Sequence, residues 1–106
     1  MVSPEQEGLS FIIPAYNEEQ GISSTIEALD NSLKNAGIDY EIIVVNDGST
    51  DQTYEITKIF KDISLISHPI NAGYGCSIKT GISNSKYNWV GIIDADGTYP
   101  IDAIPQ

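Results

Sequence analysis

The sequence predicts an α/β fold, a parallel sheet with helices on both faces. Three observations predict it. Short apolar runs rich in β-forming residues alternate with segments of helical periodicity. One of those runs, Ile42-Ile43-Val44-Val45, is apolar on both faces, as a strand covered by helices on both sides must be. The connections are short, and right-handed crossovers then join each strand to a parallel successor.

The elements follow in order. LSFII (9–13) reads as a strand that stops at Pro14, which cannot donate to a sheet ladder. In the next segment Ile22, Ile26, Leu29 and Leu33 fall on one helical face. Asn17 is the expected N-cap, with Glu18 and Glu19 in the first turn, Gln20 at the capping-box position and Gly37 closing the helix. YEIIVVN (40–46) is the second strand. Ser49 with Gln52 forms another capping-box signature and opens a helix expected over 50–61. ISLIS (63–67) is a short third strand, ended by His68-Pro69, because a residue before proline avoids the helical region. NAGYGCSIKTGISNS reads as a Gly-rich turn into a third helix, with Ile78 and Ile82 expected to face the core. WVGII (89–93) is the fourth strand. The first and fourth strands are expected to be neighbours.

Residues 1–8 read as a tail and 9–106 as one domain with a modest core. The chain carries 15 acidic against 5 basic residues, a formal charge of −10. Such a surface repels nucleic acid and anionic lipid, and no Lys/Arg cluster offsets it. An anionic small molecule would need a helix N-terminus or a metal cation beside it. The single Cys76 excludes an internal disulfide and fits a reduced, cytoplasmic setting; it is expected to pack as a small apolar residue. The N-terminus MVSPEQEGLS has neither the basic region nor the apolar core of a signal peptide, and no run reaches the length of a spanning helix.

The unusual residues collect at the carboxyl ends of the strands, in PAYNEE, NDGSTD, HPINAGYG and DADGTYP. In a Rossmann-like sheet, ligands sit in the crevice beyond those ends. In DADGTYP, Asp94 and Asp96 stand two residues apart, on one side of an extended chain and ~7 Å from each other. They either embrace a hard cation such as Mg²⁺ or Mn²⁺ or form an Asx turn before Gly97. Asp47 either accepts hydrogen bonds from a base or ribose or simply shapes a strand-to-helix turn. Tyr16 and Glu18 either meet a nucleoside or belong to a capped helix start. Gly73 and Gly75 would let backbone approach a phosphate, although the loop is neither a Walker loop nor the three-glycine dinucleotide fingerprint. Lys79, one helical turn on, is a candidate phosphate contact, or else a solvated lysine. His68 has no second His or Cys at ligand spacing and reads as a turn histidine, and Trp89 as the start of its strand.

Taken together and in order, FIIPAYNEE, IIVVNDGSTD, NAGYGCSIKTGI and DADGTYP resemble the successive motifs of the family 2 glycosyltransferases of GT-A fold. The resemblance is closest to the polyprenyl-phosphate type, such as the dolichol-phosphate sugar synthases, and runs from about residue 9 to the last residue. It implies that this chain is the donor-binding, N-terminal half of a GT-A domain that binds a UDP- or GDP-type nucleotide sugar. Pro14, Tyr16 and Glu18 would surround the nucleoside, and Val45 and Asp47 would hold the base or ribose edge. Asp94, Ala95 and Asp96 match the family's DXD motif, with Asp96 the principal metal ligand and Asp94 closer to the ribose or metal. Thr98 stands where relatives often carry a Gln that helps bind metal, so that ligand is in doubt. Asn46 replaces the first acid of the frequent VDDGS. The family's catalytic base and acceptor half are expected beyond residue 106. The implied acceptor includes a polyprenyl phosphate, at the cytoplasmic face of a membrane.

Three alternatives stand beside this reading. A nucleotidyltransferase shares the architecture and metal chemistry, but usually carries a Gly-rich, basic loop after the first strand, which PAYNEE lacks. A receiver-type signalling module needs acids after the first strand and a fifth strand ending in Lys. A nucleotide- or metal-binding fragment without catalysis is the third.

Overall fold

The computed structural model describes residues 8–95. The elements are β1 (Leu9–Ala15), α1 (Ile22–Ala36), β2 (Tyr40–Asp47), α2 (Thr53–Thr57), β3 (Ser64–His68), α3 (Tyr74–Ser83) and β4 (Trp89–Ile92). The strands form one parallel sheet in the order β3-β2-β1-β4. Two crossovers step outward from β1, and the third returns across the sheet to lay β4 against the free side of β1. Leu9 pairs with Tyr40 on one side and with Trp89 on the other, which confirms the expected neighbours.

Alternation along the strands divides the core. Phe11, Ile13, Ile42 and Val44 point to the face covered by α1, where Ile22, Ile26, Leu29 and Leu33 are fully buried against them. Each such side chain contributes about 1.5–3 kcal/mol on leaving water. Ile12, Ile43 and Val45 point the other way, toward Ile66, Val90 and α3. The doubly apolar run of β2 is therefore used on both faces.

α3 presents a different face from the one its isoleucines predict. Ser77 and Gly81 are its buried residues, whereas Ile82 is 48% exposed. A Cβ on Gly81 would lie 2.5 Å from Ile12 Cγ2, so α3 packs through its small residues and sits closer to the sheet than a row of isoleucines would allow. Cys76, expected to be packed, is exposed on the same helix.

Both predicted capping boxes are also corrected. α1 begins only at Ile22, behind Gly21, with no side-chain cap. Asn17 instead takes a left-handed conformation, φ 53°, and its Oδ1 accepts the N–H groups of Thr50 and Asp51 at 2.8 and 3.3 Å. α2 covers Thr53–Thr57 rather than 50–61. Ser49 Oγ accepts the N–H of Asn17, the N–H of Gln52 goes to Glu19 Oε1, and Asp51 Oδ1 takes the N–H of Thr53. The capping side chains are spent on joining two neighbouring loops, which local spacing cannot reveal. Gly37 does end α1, in the left-handed conformation, with its N–H on Lys34 O. The third strand is shifted by one residue from 63–67 and takes in His68.

Candidate functional site

The carboxyl ends of β1, β2 and β4 and the start of α3 enclose a cleft of about 410 Å³. It lies at the point where the strand order reverses, between β1 and β4, where ligands bind in open α/β sheets. β1 and the residues after it supply Pro14, Ala15, Tyr16 and Glu18; β2 supplies Asp47; β4 leads to Asp94 and Ala95. Six of the expected site residues, Pro14, Tyr16, Glu18, Asp47, Asp94 and Ala95, thus line one cavity. Asn71, Gly73, Tyr74 and Ser77 line it too.

Two expected residues stand apart. Val45 is fully buried with Ile12 and Ile43, because its side chain points into the sheet's second core rather than toward the cleft mouth. Lys79 is exposed on α3 and does not line the cleft. Asp96 and Thr98 lie outside the described residues.

Asp47 is buried and fully engaged. Its Oδ1 accepts the N–H of Ala72 and faces His68 Nδ1, both at 2.8 Å. Its Oδ2 accepts the N–H of Gly73 at 2.9 Å and Asn71 Nδ2 at 3.1 Å. Burial pushes its pKa up, but the hydrogen bonds from His68, Ala72 and Gly73 outweigh burial and hold it below the ordinary carboxylate value. With the carboxylate ionised, His68 Nδ1 is the donor of that pair, and the other ring nitrogen, Nε2, lies 2.8 Å from Thr80 Oγ1. His68 is therefore not a simple turn residue; it ties β3 to Asp47 on β2 and to Thr80 on α3.

The wall this latch holds requires Gly48. At φ 71° it passes so close to the next loop that a Cβ would lie 2.4 Å from the backbone N of Asn71. Local sequence shows Asn-Asp-Gly as a turn, but not that a loop from another strand would rest on it. NAGYG gave a weak signal for the α3 wall; nothing in its spacing indicated that an acid from β2 would hold it.

Tyr16, just past the end of β1, is about half exposed, and Tyr74, at the start of α3, more so. Tyr74 Oη lies 3.4 Å from Asp94 Oδ1, a long contact. Inside α3, the Ser77 hydroxyl is buried without a protein partner, which ordinarily costs about 1–3 kcal/mol. Among the described residues, Glu18, Asp47 and Asp94 are the charged groups of the lining, and no Lys or Arg joins them. An anionic ligand here needs a counter-charge. Carboxylate oxygens such as those of Asp94 suit Mg²⁺ or Mn²⁺, although the described residues contain no group of three or more metal-binding side chains. The first turn of α3 is the other source of positive potential.

The family model of Glycosyl transferase family 2 matches residues 10–106. The chain belongs to this family. A relative in it is the dolichyl-phosphate beta-glucosyltransferase ALG5A of Trichomonas vaginalis, 36% identical over 103 residues, covering 89% of this chain and 32% of that protein. Another is the poly-beta-1,6-N-acetyl-D-glucosamine synthase of Staphylococcus epidermidis, 34% identical, covering 92% of this chain and 24% of the relative. Among solved structures, glucosyl-3-phosphoglycerate synthase from Mycobacterium tuberculosis, in complex with Mn²⁺, UDP and glucosyl-3-phosphoglycerate, superposes with a TM-score of 0.69 at 27% identity, covering 86% of this chain and 34% of that one. The chain spans about a third or less of the length of these family members. The α/β, Rossmann-like GT-A architecture expected from the sequence is thus shown. Among the described residues, no helix is long and apolar enough to cross a membrane.

Proposed function

We propose that this chain binds the nucleotide-sugar donor, UDP- or GDP-linked, of a family 2 sugar transfer, together with Mg²⁺ or Mn²⁺. The observation that carries the reading is the convergence of Pro14, Tyr16, Glu18, Asp47 and Asp94, from three strand ends, on one cleft at the switch in strand order. A solved relative holding UDP and Mn²⁺ supports it.

In this reading the exposed ring of Tyr16 lies along the base beside Pro14, and Glu18 accepts from a ribose hydroxyl. Asp47 acts chiefly by fixing the 71–73 wall, since its oxygens are already hydrogen-bonded. Asp94 and Asp96 hold the cation across Ala95, with Asp96 the principal ligand. A divalent cation, when bound, supplies charge that offsets the departing diphosphate. No described residue is assigned as general base. The acceptor is proposed to be a lipid phosphate, at the cytoplasmic face of a membrane; the name of the Trichomonas relative supports the lipid phosphate, and the Staphylococcus relative, a polysaccharide synthase by name, supports a different acceptor.

Titration calorimetry of the chain with UDP and with GDP, each with and without Mn²⁺, tests the reading. Heat with one nucleotide that grows with Mn²⁺ is expected; equal heats with and without metal would count against the cation.

A further inference from the structure

We propose that the Ser77 hydroxyl donates a hydrogen bond to the nucleoside part of the bound donor, to a base carbonyl or a ribose oxygen, and not to the diphosphate. The inference rests on the reading of the cleft as a nucleotide site.

Ser77 lies in the first turn and a half of α3, lines the cleft, and has no exposed surface of its own. Its backbone N–H is already bonded to Gly73 O at 3.0 Å, so the hydroxyl is what it has left to offer. Among the described residues only Thr57 Oγ1 shares its condition of a buried side-chain oxygen without a partner, and Thr57 does not line the cleft. Buried hydroxyls are normally satisfied, and an exception on a cavity wall points to a partner that arrives with a ligand.

Charge selects the part of the ligand. Gly73, which begins the same turn, is held by the buried carboxylate of Asp47. A phosphate seated against Ser77 would have to share the positive end of α3 with that carboxylate, which already takes the Gly73 N–H, and like charges repel. Lys79, the cation of α3, is exposed and outside the lining, so it offers no relief there. A base carbonyl or a sugar oxygen accepts from the hydroxyl without that penalty. Tyr16 and Tyr74 supply exposed rings on the same cleft, suited to a planar base.

The test compares Ser77→Ala with the wild-type chain by calorimetry, using UDP, GDP, the matching monophosphates and inorganic pyrophosphate, each with Mn²⁺. Ser77→Ala is expected to weaken the preferred diphosphate nucleotide about 3–10-fold, to weaken its monophosphate by the same factor, and to leave pyrophosphate unchanged. The unliganded variant should melt at the same temperature or higher, since no protein group loses a partner. Ser77→Cys, similar in volume with a weaker donor, should lose nearly as much affinity and guards against a repacking effect. Unchanged nucleotide affinity in Ser77→Ala would overturn the assignment while leaving the nucleotide site standing. A loss shared by pyrophosphate would move the contact to the diphosphate and overturn it as well. A wild-type chain that binds none of the nucleotides would overturn the nucleotide site itself, and this contact with it.

Discussion

Asp47 Oδ2 accepts the N–H of Gly73 at 2.9 Å, across 26 residues of chain. The acid ends β2 and the glycine begins the turn into α3, so one side chain fixes the position of a helix that returns to the far side of the sheet. Its second oxygen holds Ala72 and faces His68. Asp47→Asn would leave an amide NH₂ against an N–H donor, with one buried group unmet. We expect a loss of about 3 kcal/mol in unfolding free energy, read from urea titrations. A loss below about 1 kcal/mol would show that the latch contributes little.

The pH dependence follows from the same group. The hydrogen bonds around Asp47 and Asp51 overcome burial and depress both pKa values. A carboxyl with a depressed folded pKa stabilises the fold above its unfolded pKa and loses that contribution as pH falls through the folded one. The urea midpoint should therefore hold near neutrality and decline below about pH 4. Asp47→Asn should flatten that decline, measured as midpoint against pH for the two proteins.

At alkaline pH a different pair acts. Tyr40 Oη donates to Asp30 Oδ1 at 2.6 Å. That hydrogen bond, then burial and the nearby charges of Asp30 and Asp62, raise the Tyr40 pKa to about 12. A raised folded pKa gives stability that is complete below the unfolded value of about 10 and lost as pH rises through the folded one. Tyr40→Phe should remove the slope between about pH 10 and pH 12, and it should also soften the acid limb, because the Tyr40 hydroxyl is the chief group holding the Asp30 pKa down. A slope that persists in the variant would assign it to other groups.

Two glycines near the cleft should respond oppositely to alanine. In Gly48→Ala the new Cβ meets the backbone of Asn71 and Ile70 at 2.4–2.5 Å, in a left-handed conformation. A cost of about 2–4 kcal/mol is expected, with weaker nucleotide binding as the 71–73 wall moves. In Gly75→Ala the Cβ meets nothing within 4 Å, and the residue is helical. That change should raise stability by up to about 1 kcal/mol. Thermal melts of both variants separate the outcomes; similar destabilisation of the two would contradict the close approach at Gly48.

Asp96→Ala should abolish the Mn²⁺ dependence of nucleotide binding more completely than Asp47→Ala. The first removes the proposed principal ligand, whereas the second loosens a wall. Calorimetry with and without Mn²⁺ distinguishes them, and equal losses would undo the division of roles.

Much of this was legible in the residues. The alternation of apolar runs with helical segments located the four strands, α1 and α3, whereas α2 rested on a capping signature that the structure puts to another use; β2's doubly apolar run marked it as interior. Collecting the carboxyl-end loops brought Tyr16, Asp47 and Asp94 to one edge, and the structure places them on one cleft. Contacts between loops were not legible. Asn17, Ser49 and Gln52 have the chemistry of caps, but Asn17 caps a neighbouring loop and the other two bond back to 17–19, because the adjacency of β1 and β2 supplies partners closer than their own helices. Ile78 and Ile82 looked like the core stripe of α3, whereas the narrow gap over Ile12 admits Ser77 and Gly81. Ser77 carried no signal as a lining residue, since a serine inside a helix is ordinary until its hydroxyl is found without a partner.

The grip of Asn17 Oδ1 on the Thr50 and Asp51 amides bears on motion. Exposed loop amides usually exchange with solvent through small, independent openings. Here the Thr50 hydrogen can be released only when the turn after β1 lets go, so its exchange rate should track the rupture of both loops at once. The sides of the cleft drawn from β1 and β2 should then open together, and a ligand that rigidifies either is expected to slow deuterium uptake in the other.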